Sequence, residues 1–284
     1  MRSQRLEQLN ALIGAIEDRS WSCDRSAIDH QAKADSPGSS VSAAAGSWLI
    51  RGVVHEWFGV ADLSQHTEAV QLTKAKLHSP LPQWTPPMGI LLHLARCSLK
   101  HSTNRCVVWI GKRCWPYPHA LVCGDDYQRQ LLRQSFFIDC PNQASRLWAI
   151  DSAARCPAVA AVIADGSGLV MAHTRRLQLA AEAGSALVLL ARPPCELDRL
   201  SAATLRWLVS CAPATGKTPK WIVQLLRCKG SQHRSKMFRR DAENQPRWMM
   251  EWNRAQGGVV IHAPLVDRPA PAAQPQRTSI LRSA

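Results

Sequence analysis

The segment AVAAVIADGSGLVMAHTRRLQLAAEAGSALVLLARPP (residues 158–194) decides the fold class. It contains two apolar runs, at 158–166 and 185–194, on either side of a helical pattern at 173–184. Apolar runs of this length are typical of strands that are buried on both faces of a parallel sheet. Parallel neighbours need a crossover connection, which is usually a helix. The segment therefore predicts a β-α-β unit.

The same alternation continues upstream of this unit. Strand patterns lie within 47–59 and at 105–111 and 135–140, and helical patterns lie at 88–100, 125–135 and 144–156. Alternating strands and helices are typical of a three-layer α/β domain. We therefore predict a mostly parallel central sheet with helices on both of its faces.

The alternation of strand and helix patterns ends after residue 204. The stretches TLRWLVSC (204–211) and WIVQLLRCKG (221–230) are two strand patterns joined by a polar turn, which predicts a late antiparallel hairpin, and GGVVIHAP (257–264) predicts a further short strand. The turn contains Gly216-Lys217-Thr218, the triplet of a phosphate-binding loop. Such a loop needs more glycine before the triplet and a helix after it, whereas Pro219 and an apolar strand pattern follow here. We interpret the triplet as an ordinary turn.

Composition and charge limit the possible functions. The chain has 284 residues, 46% of them hydrophobic, and a formal net charge of +14. This excess favours polyanionic partners such as nucleic acid or an acidic protein. The beginning of the chain is charged and no apolar run approaches the ~20 residues of a membrane span, so we expect a cytoplasmic protein without a membrane partner.

The ten cysteines form no Cys-x-x-Cys pair, and we expect reduced thiols rather than a disulfide framework. A zinc site built from Cys106, Cys114, Cys123 and His119 does not fit any usual ligand spacing. No Gly-x-Ser-x-Gly pattern occurs, so hydrolase chemistry has no support.

The domain organisation follows from these patterns. We predict an amphipathic helix at 1–20, a linker at 21–46, the α/β domain at 47–265 and a disordered tail at 266–284.

A basic and aromatic segment at 231–256 is the first candidate contact surface. Cationic and aromatic side chains interleaved in this way bind nucleic acid through phosphates and stacking, or dock on an acidic protein groove. A solvated basic helix whose tryptophans pack on the core is the third alternative, and all three stay open. The candidate contact residues are Arg234, Lys236, Phe238, Arg239, Arg240, Arg247, Trp248 and Trp252.

A second candidate surface follows the strand at 105–111. It contains Lys112, Arg113 and Trp115. Loops at the carboxyl ends of strands are where ligands and partners usually meet an open α/β sheet. We therefore expect contacts with a partner or with DNA here.

The stretch GVVHEWFG (52–59) has the pattern Gly-x-x-x-Glu-x-x-Gly. It resembles the first core strand of RecA-type ATPases, in which this pattern leads into the phosphate loop. Counted from Gly59, the loop's Gly-Lys-Thr would fall at Ser64, Gln65 and His66, and none of these is of the required type. The resemblance therefore implies a RecA-like three-layer sandwich whose ATP site is degenerate.

Two further landmarks of the RecA type can be compared. The stretch AVAAVIADGSG (158–168) resembles the Walker B strand, so Asp165 occupies the position of the acid that holds Mg²⁺. A lone aspartate at a strand end is equally a cap for the next turn. Where RecA proteins place a catalytic glutamate, Ile110 is followed by Gly111-Lys112-Arg113. We therefore expect no enzymatic activity, no cofactor and no metal.

An ordered set of motifs gives the more specific resemblance. HEWFG (55–59), VVWIGKRCWPYPHAL (107–121), the block at 136–169 and TRRLQLAAEAGSALVLLARPP (174–194) resemble the ImuA-like proteins, accessory factors of damage-induced translesion DNA synthesis. This resemblance implies a non-catalytic scaffold of the SOS response. Its implied partners are a Y-family-like polymerase subunit and an error-prone replicative-type polymerase, with the C-terminal region gripping the former.

Two alternatives stay open. The first is a DNA-binding RecA-like ATPase with an unorthodox nucleotide site around Asp165 and the 60–89 loop. The second is a SulA-like inhibitor of cell division that sequesters a partner.

Overall fold

The β-strands and α-helices of the chain were located in a computed structural model. It describes residues 50–60, 84–99, 104–122, 131–213, 218–229, 247–253 and 258–265. The strands of these residues are β1 (Val53–Val60), β2 (Cys106–Ile110), β3 (Ser135–Ile138), β4 (Val159–Asp165), β5 (Leu187–Arg192), β6 (Leu205–Ala212), β7 (Lys220–Cys228), β8 (Arg247–Asn253) and β9 (Gly258–Leu265). The helices are α1 (Met88–Leu99), α2 (Pro118–Val122), α3 (Gln143–Arg155) and α4 (Met171–Gly184).

All the described strands belong to one sheet, in the order β3-β2-β4-β5-β1-β6-β7-β8-β9. From β3 to β6 every neighbouring pair is parallel. The pairs β6-β7, β7-β8 and β8-β9 are antiparallel. A mostly parallel α/β sheet with a late antiparallel hairpin is thus confirmed.

Alternation along the strands sends side chains to two separate cores. In β2, Val107 and Trp109 pack in the core on the α1 side, whereas Val108 and Ile110 pack in the core beneath α3 and α4. Each strand in the centre of the sheet is buried on both faces, which explains its unbroken apolar run. The sheet therefore lies between two helical layers.

Helix α1 is enclosed on more than one side. Eight of its twelve residues are buried. The Val259 amide of β9 donates a hydrogen bond to Nδ1 of His93, at 3.1 Å, and a Cβ on Gly89 would lie 2.7 Å from the indole of Trp221 in β7. The antiparallel strands therefore curve over α1, and they hold it against the parallel part of the sheet.

The segment 247–253 corrects part of the sequence interpretation. It is strand β8 and not a solvated basic helix. Trp248, one of the candidate contact residues, is 7% exposed, and its ring lies 6.0 Å from that of Trp207. Its side chain is a core side chain in this fold, because the curvature of the sheet turns this face of β8 inwards.

Several predictions fall outside the described residues. These are the helix at 1–20, the linker at 21–46, the tail at 266–284 and most of the 60–89 insertion. Five of the candidate contact residues also lie there: Arg234, Lys236, Phe238, Arg239 and Arg240. Among the helices that the structure describes, none is both long enough and apolar enough to span a membrane.

Candidate functional site

The carboxyl edge of the parallel strands carries the candidate site that the sequence indicated. Strands β2 and β4 are neighbours, with Ile110 aligned to Ala164. The residues that follow them, Gly111 and Asp165, consequently lie side by side. A Cβ on Gly111 would be 3.2 Å from the Cβ of Asp165, and the φ of Gly111 is +85°. Glycine suits this turn because it adopts positive φ without strain.

Asp165 is surrounded by groups of its own chain. Its carboxylate lies 3.6 Å from Nε of Arg113 and 3.7 Å from Nη1 of Arg146. It also accepts a hydrogen bond from the Ser167 amide at 2.9 Å. The aspartate therefore caps the turn after β4, and it is already neutralised by two guanidinium groups.

The two arginines around Asp165 are themselves held in place. Arg113 lies over the ring of Trp84, 5.0 Å from its centroid, and donates to the Trp84 carbonyl oxygen. Arg146, from α3, donates to the carbonyl oxygen of Ser167 at 2.8 Å. These contacts join the segment before α1, the turn after β2 and the loop after β4 at one edge of the sheet.

Aromatic and charged side chains extend this edge towards β3. Lys112 is exposed and forms an ion pair with Asp139 at 3.0 Å. Trp115 is half-buried against Phe137, with an edge-to-face ring contact at 5.7 Å. Tyr117 is 86% exposed. Lys112, Arg113 and Trp115 thus lie at one edge, as the sequence analysis expected of a loop after a strand.

The β8 residues among the candidates lie elsewhere. Trp252 has Arg96 of α1 5.6 Å from its ring centroid, and Arg96 donates to the carbonyl oxygen of Ala120 in α2. Arg247 is half-buried at the start of β8. Arg96 therefore contacts both Trp252 and α2.

The end of β1 is closed, where a phosphate loop would begin. A Cβ on Gly59 would lie 2.8 Å from the carbonyl oxygen of Thr85 and 3.3 Å from Cδ of Pro87. A side chain at this position would have to displace backbone atoms and a proline ring, which is energetically costly. Only glycine therefore fits here. The chain before α1 is packed directly against the end of the strand.

The Gly216-Lys217-Thr218 triplet connects two antiparallel strands. Its first two residues lie outside the described residues. The hydroxyl of Thr218 donates to Oε1 of Glu251 at 2.6 Å, and a strand follows rather than a helix. The topology confirms a connection within a hairpin.

Sequence reasoning did not find a buried charge cluster around Glu56. Its carboxylate accepts hydrogen bonds from Arg192 at 2.6 Å, from Arg206 at 2.8 Å and from the Ser201 hydroxyl at 2.6 Å. Arg192 also pairs with Glu196 at 2.6 Å. The sequence does contain a sign of this cluster, because each of three apolar strand patterns includes one charged residue. Charged side chains are rarely buried unless they are paired, so these three residues could have been expected to meet.

The described residues offer few possible ligands for a metal ion. They contain no group of three or more histidine, cysteine, aspartate or glutamate side chains placed to hold an ion. Burial raises the pKa of the Cys106 thiol to about 12 and also raises the pKa of Cys114. Both thiols are buried among apolar side chains, where free cysteines pack as small hydrophobic residues. Cys123 lies outside the described residues.

Comparison with known proteins adds little. No family model matches the chain, and no curated protein matches it in sequence. Among solved structures, SulA from Pseudomonas aeruginosa is similar over 49% of this chain and 97% of that chain, with 15% identity and a TM-score of 0.31. Values this low assign neither a shared fold nor a shared function.

Proposed function

We propose that this chain is a non-enzymatic accessory protein of the ImuA-like type, which helps error-prone polymerases copy damaged DNA during the SOS response. Its α/β sheet is in this proposal a RecA-derived scaffold of the cytoplasm. Support comes first from the ordered set of motifs between HEWFG and the strand that ends at Arg192. The motifs lie on β1 to β5 and on α2 to α4, in the order in which these elements follow one another in the chain.

The observation that carries the non-enzymatic part is the environment of Asp165. A magnesium ion at this carboxylate would have to displace the guanidinium groups of Arg113 and Arg146, which already balance its charge. The tight packing of Gly59 against Thr85 and Pro87 leaves little room for phosphates beside the end of β1. Without a cation and a phosphate cradle, phosphoryl transfer has no electrostatic support.

The candidate surface for the polymerase partners is the edge with Lys112, Arg113 and Trp115, together with the segment 231–256. Tyr117 and Phe137, which are 86% and 38% exposed, add aromatic area beside Trp115. Exposed aromatic side chains next to cations are typical of protein contact surfaces. The proposed partners are the Y-family-like subunit and the error-prone replicative-type polymerase.

The proposal is tested by mixing the purified full-length chain with each polymerase subunit and measuring complex formation by size-exclusion chromatography with light scattering. We expect a stable complex with the Y-family-like subunit. We also expect Trp115→Ala combined with Tyr117→Ala to weaken it, whereas Leu132→Ala, an exposed aliphatic control, leaves it unchanged. Failure of both subunits to bind would refute the scaffold role.

Nucleotide binding is the second arm of this test. Titration with a fluorescent ATP analogue and Mg²⁺ is expected to give no saturable binding in the micromolar range. Saturable binding that Asp165→Ala abolishes would contradict the proposal and would favour an ATPase.

A further inference from the structure

A groove runs along α4, from Met171 and Ala172 at the start of the helix to Glu182 near its end. Its volume is about 1080 Å³, and it is bounded by one flank of α4, the start of β1 and the residues before β6. Two exposed cations line it, which are Arg175 and Lys229, and Arg51 borders it at the start of β1. Neither the motifs nor the proposed polymerase contacts account for this groove.

The cations of the groove are not neutralised by carboxylates. Within the described residues, none of these cations, nor the adjacent Arg227, has a carboxylate at ion-pair distance. Backbone carbonyl oxygens hold Lys229 and Arg227 instead. Lys229 donates to the carbonyl oxygen of Ser201 at 2.9 Å, and Arg227 donates to the same oxygen at 3.0 Å. Arg51 donates to the carbonyl oxygen of Ser98 in α1 at 2.6 Å, so its guanidinium points to the other face of the sheet.

One acidic residue, Glu182, also lies on the wall. Its carboxylate accepts a hydrogen bond from Gln178 at 3.0 Å. Among the described residues that line the groove, Glu182 stands against the two exposed cations Arg175 and Lys229, and Arg227 lies beside Lys229, so positive charge is in excess. Such a concentration of one sign of charge attracts a polyanion.

The pKa values of the same cations reflect this crowding. Burial, with a contribution from Arg105, lowers the pKa of Arg51 to about 10. Burial, followed by the charge of Arg227, lowers the pKa of Lys229. An anion in the groove would relieve the repulsion that Lys229 meets from Arg227 and Arg175.

The rest of the wall favours a phosphate backbone over a protein segment. Apart from Val53 and Met171, the other wall residues are small or polar: Gly52, Ala172, Gln178, Ala202 and Thr204. No aromatic side chain is among the described residues that line the groove, and nothing there forms the apolar pocket that an interface anchor needs. Guanidinium and ammonium donors are, by contrast, the usual partners of phosphate oxygens.

We propose that this groove binds the phosphodiester backbone of a nucleic acid, independently of its base sequence. Arg175 and Lys229 contact the phosphates. The inference goes beyond the contact with polymerases and does not rest on it, because it concerns a different surface and needs no second protein.

The experiment is a fluorescence anisotropy titration of the purified full-length chain with labelled oligothymidine of about 20 nucleotides, a duplex of mixed sequence and a matching RNA. We expect saturable binding that weakens steeply between about 50 and 200 mM salt and differs little between base sequences. Arg175→Glu and Lys229→Glu should each weaken binding roughly tenfold and lower the salt slope by about one or more.

Matched charge reversals separate this groove from the other basic surfaces. Arg133→Glu, at an exposed position before β3, controls for net charge, and Lys112→Glu tests the carboxyl edge. Arg239→Glu combined with Arg240→Glu tests the segment 231–256. Circular dichroism and thermal unfolding of each variant confirm that it folds.

The inference is overturned if the parent chain does not bind at low salt, or if the control reversals weaken binding as much as the groove reversals do. Retention of binding by the folded variant with both Arg175→Glu and Lys229→Glu overturns it as well. Competition by poly-glutamate at the same charge concentration, as strong as that by the oligonucleotide, would assign the groove to an acidic protein instead.

Discussion

Two carboxylates of this domain, Glu56 and Asp165, each face two guanidinium groups in very different surroundings. Glu56 is fully buried, and its oxygens lie 2.6 Å from Arg192 and 2.8 Å from Arg206. The corresponding distances from Asp165 to Arg113 and Arg146 are 3.6 and 3.7 Å. Asp165 and Arg146 are only 10% and 16% exposed in their side chains, whereas Arg113 is 45% exposed.

The Glu56 cluster is a structural charge cluster, whereas in the Asp165 cluster water can replace the contact with the exposed Arg113. Away from water, a close ion pair is strong, and losing one partner leaves an uncompensated buried charge. Where water reaches the pair, the loss is partly repaired by solvation. We therefore expect the Glu56 cluster to hold β1, β5 and β6 together, and the Asp165 cluster, with longer distances and one exposed partner, to contribute less stability.

The largest effect is expected for Glu56→Gln. The substitution leaves Arg192 and Arg206 buried with less negative charge, and we expect it to lower the free energy of unfolding by about 3–5 kcal/mol. Urea unfolding followed by tryptophan fluorescence measures this. The matched control is Glu182→Gln on α4, which is exposed and keeps an acceptor for Gln178. A loss below about 1 kcal/mol would remove the distinction between the two clusters.

An intermediate effect is expected for Asp151→Asn. Asp151 of α3 pairs with Arg155 and with Arg176 of α4, both about half-exposed. Burial raises the pKa of Asp151, but hydrogen bonds from the two arginines outweigh burial, and the pKa lies below its ordinary value of 3.8. We expect a loss of about 1 kcal/mol at neutral pH after allowing for solvent screening.

The pH dependence of this loss has a definite sign. A carboxyl whose pKa is lower in the folded state stabilises the fold above its unfolded pKa, and the contribution is lost as the pH falls through the folded value. The stability difference between Asp151→Asn and the parent should therefore shrink below pH 3.8. An equal difference in urea unfolding at neutral and at acid pH would show that the charge of Asp151 is not the cause.

A smaller effect is expected for Asp165→Asn. The asparagine oxygen can still accept from the Ser167 amide, and Arg113 can turn to solvent. We expect a loss of less than about 1 kcal/mol that becomes smaller at high salt. A loss as large as that of Glu56→Gln, and independent of salt, would make Asp165 a second structural centre.

The smallest effect is expected for Lys112→Ala. The Lys112–Asp139 pair has side chains that are 71% and 48% exposed. Exposed pairs contribute about 0–1 kcal/mol, so thermal unfolding should change little. A clear drop in the unfolding temperature would show that the carboxyl edge is more rigid than the comparison implies.

Local patterns determined most of the sheet. The unbroken apolar runs of β2, β4 and β5 predict parallel buried strands, because alternation disappears when both faces of a strand are covered. The turn at Gly216-Lys217-Thr218 is predictable for a similar reason, since the residues on either side of it favour strands. The resemblance to ImuA-like proteins remains a prediction.

Only the tertiary structure decided which side chains meet. Glu56 and Arg206 are 150 residues apart in the chain, and Arg192 is 136 residues from Glu56. Trp248 is a core residue because β7 to β9 curve over α1. Arg175 and Lys229 share a groove because α4 and the end of β7 converge. Hydrophobic period and turn residues act over a few positions of the chain, so they predict strands and helices. The pairing of distant charges depends on strand order and sheet curvature, which no local pattern encodes.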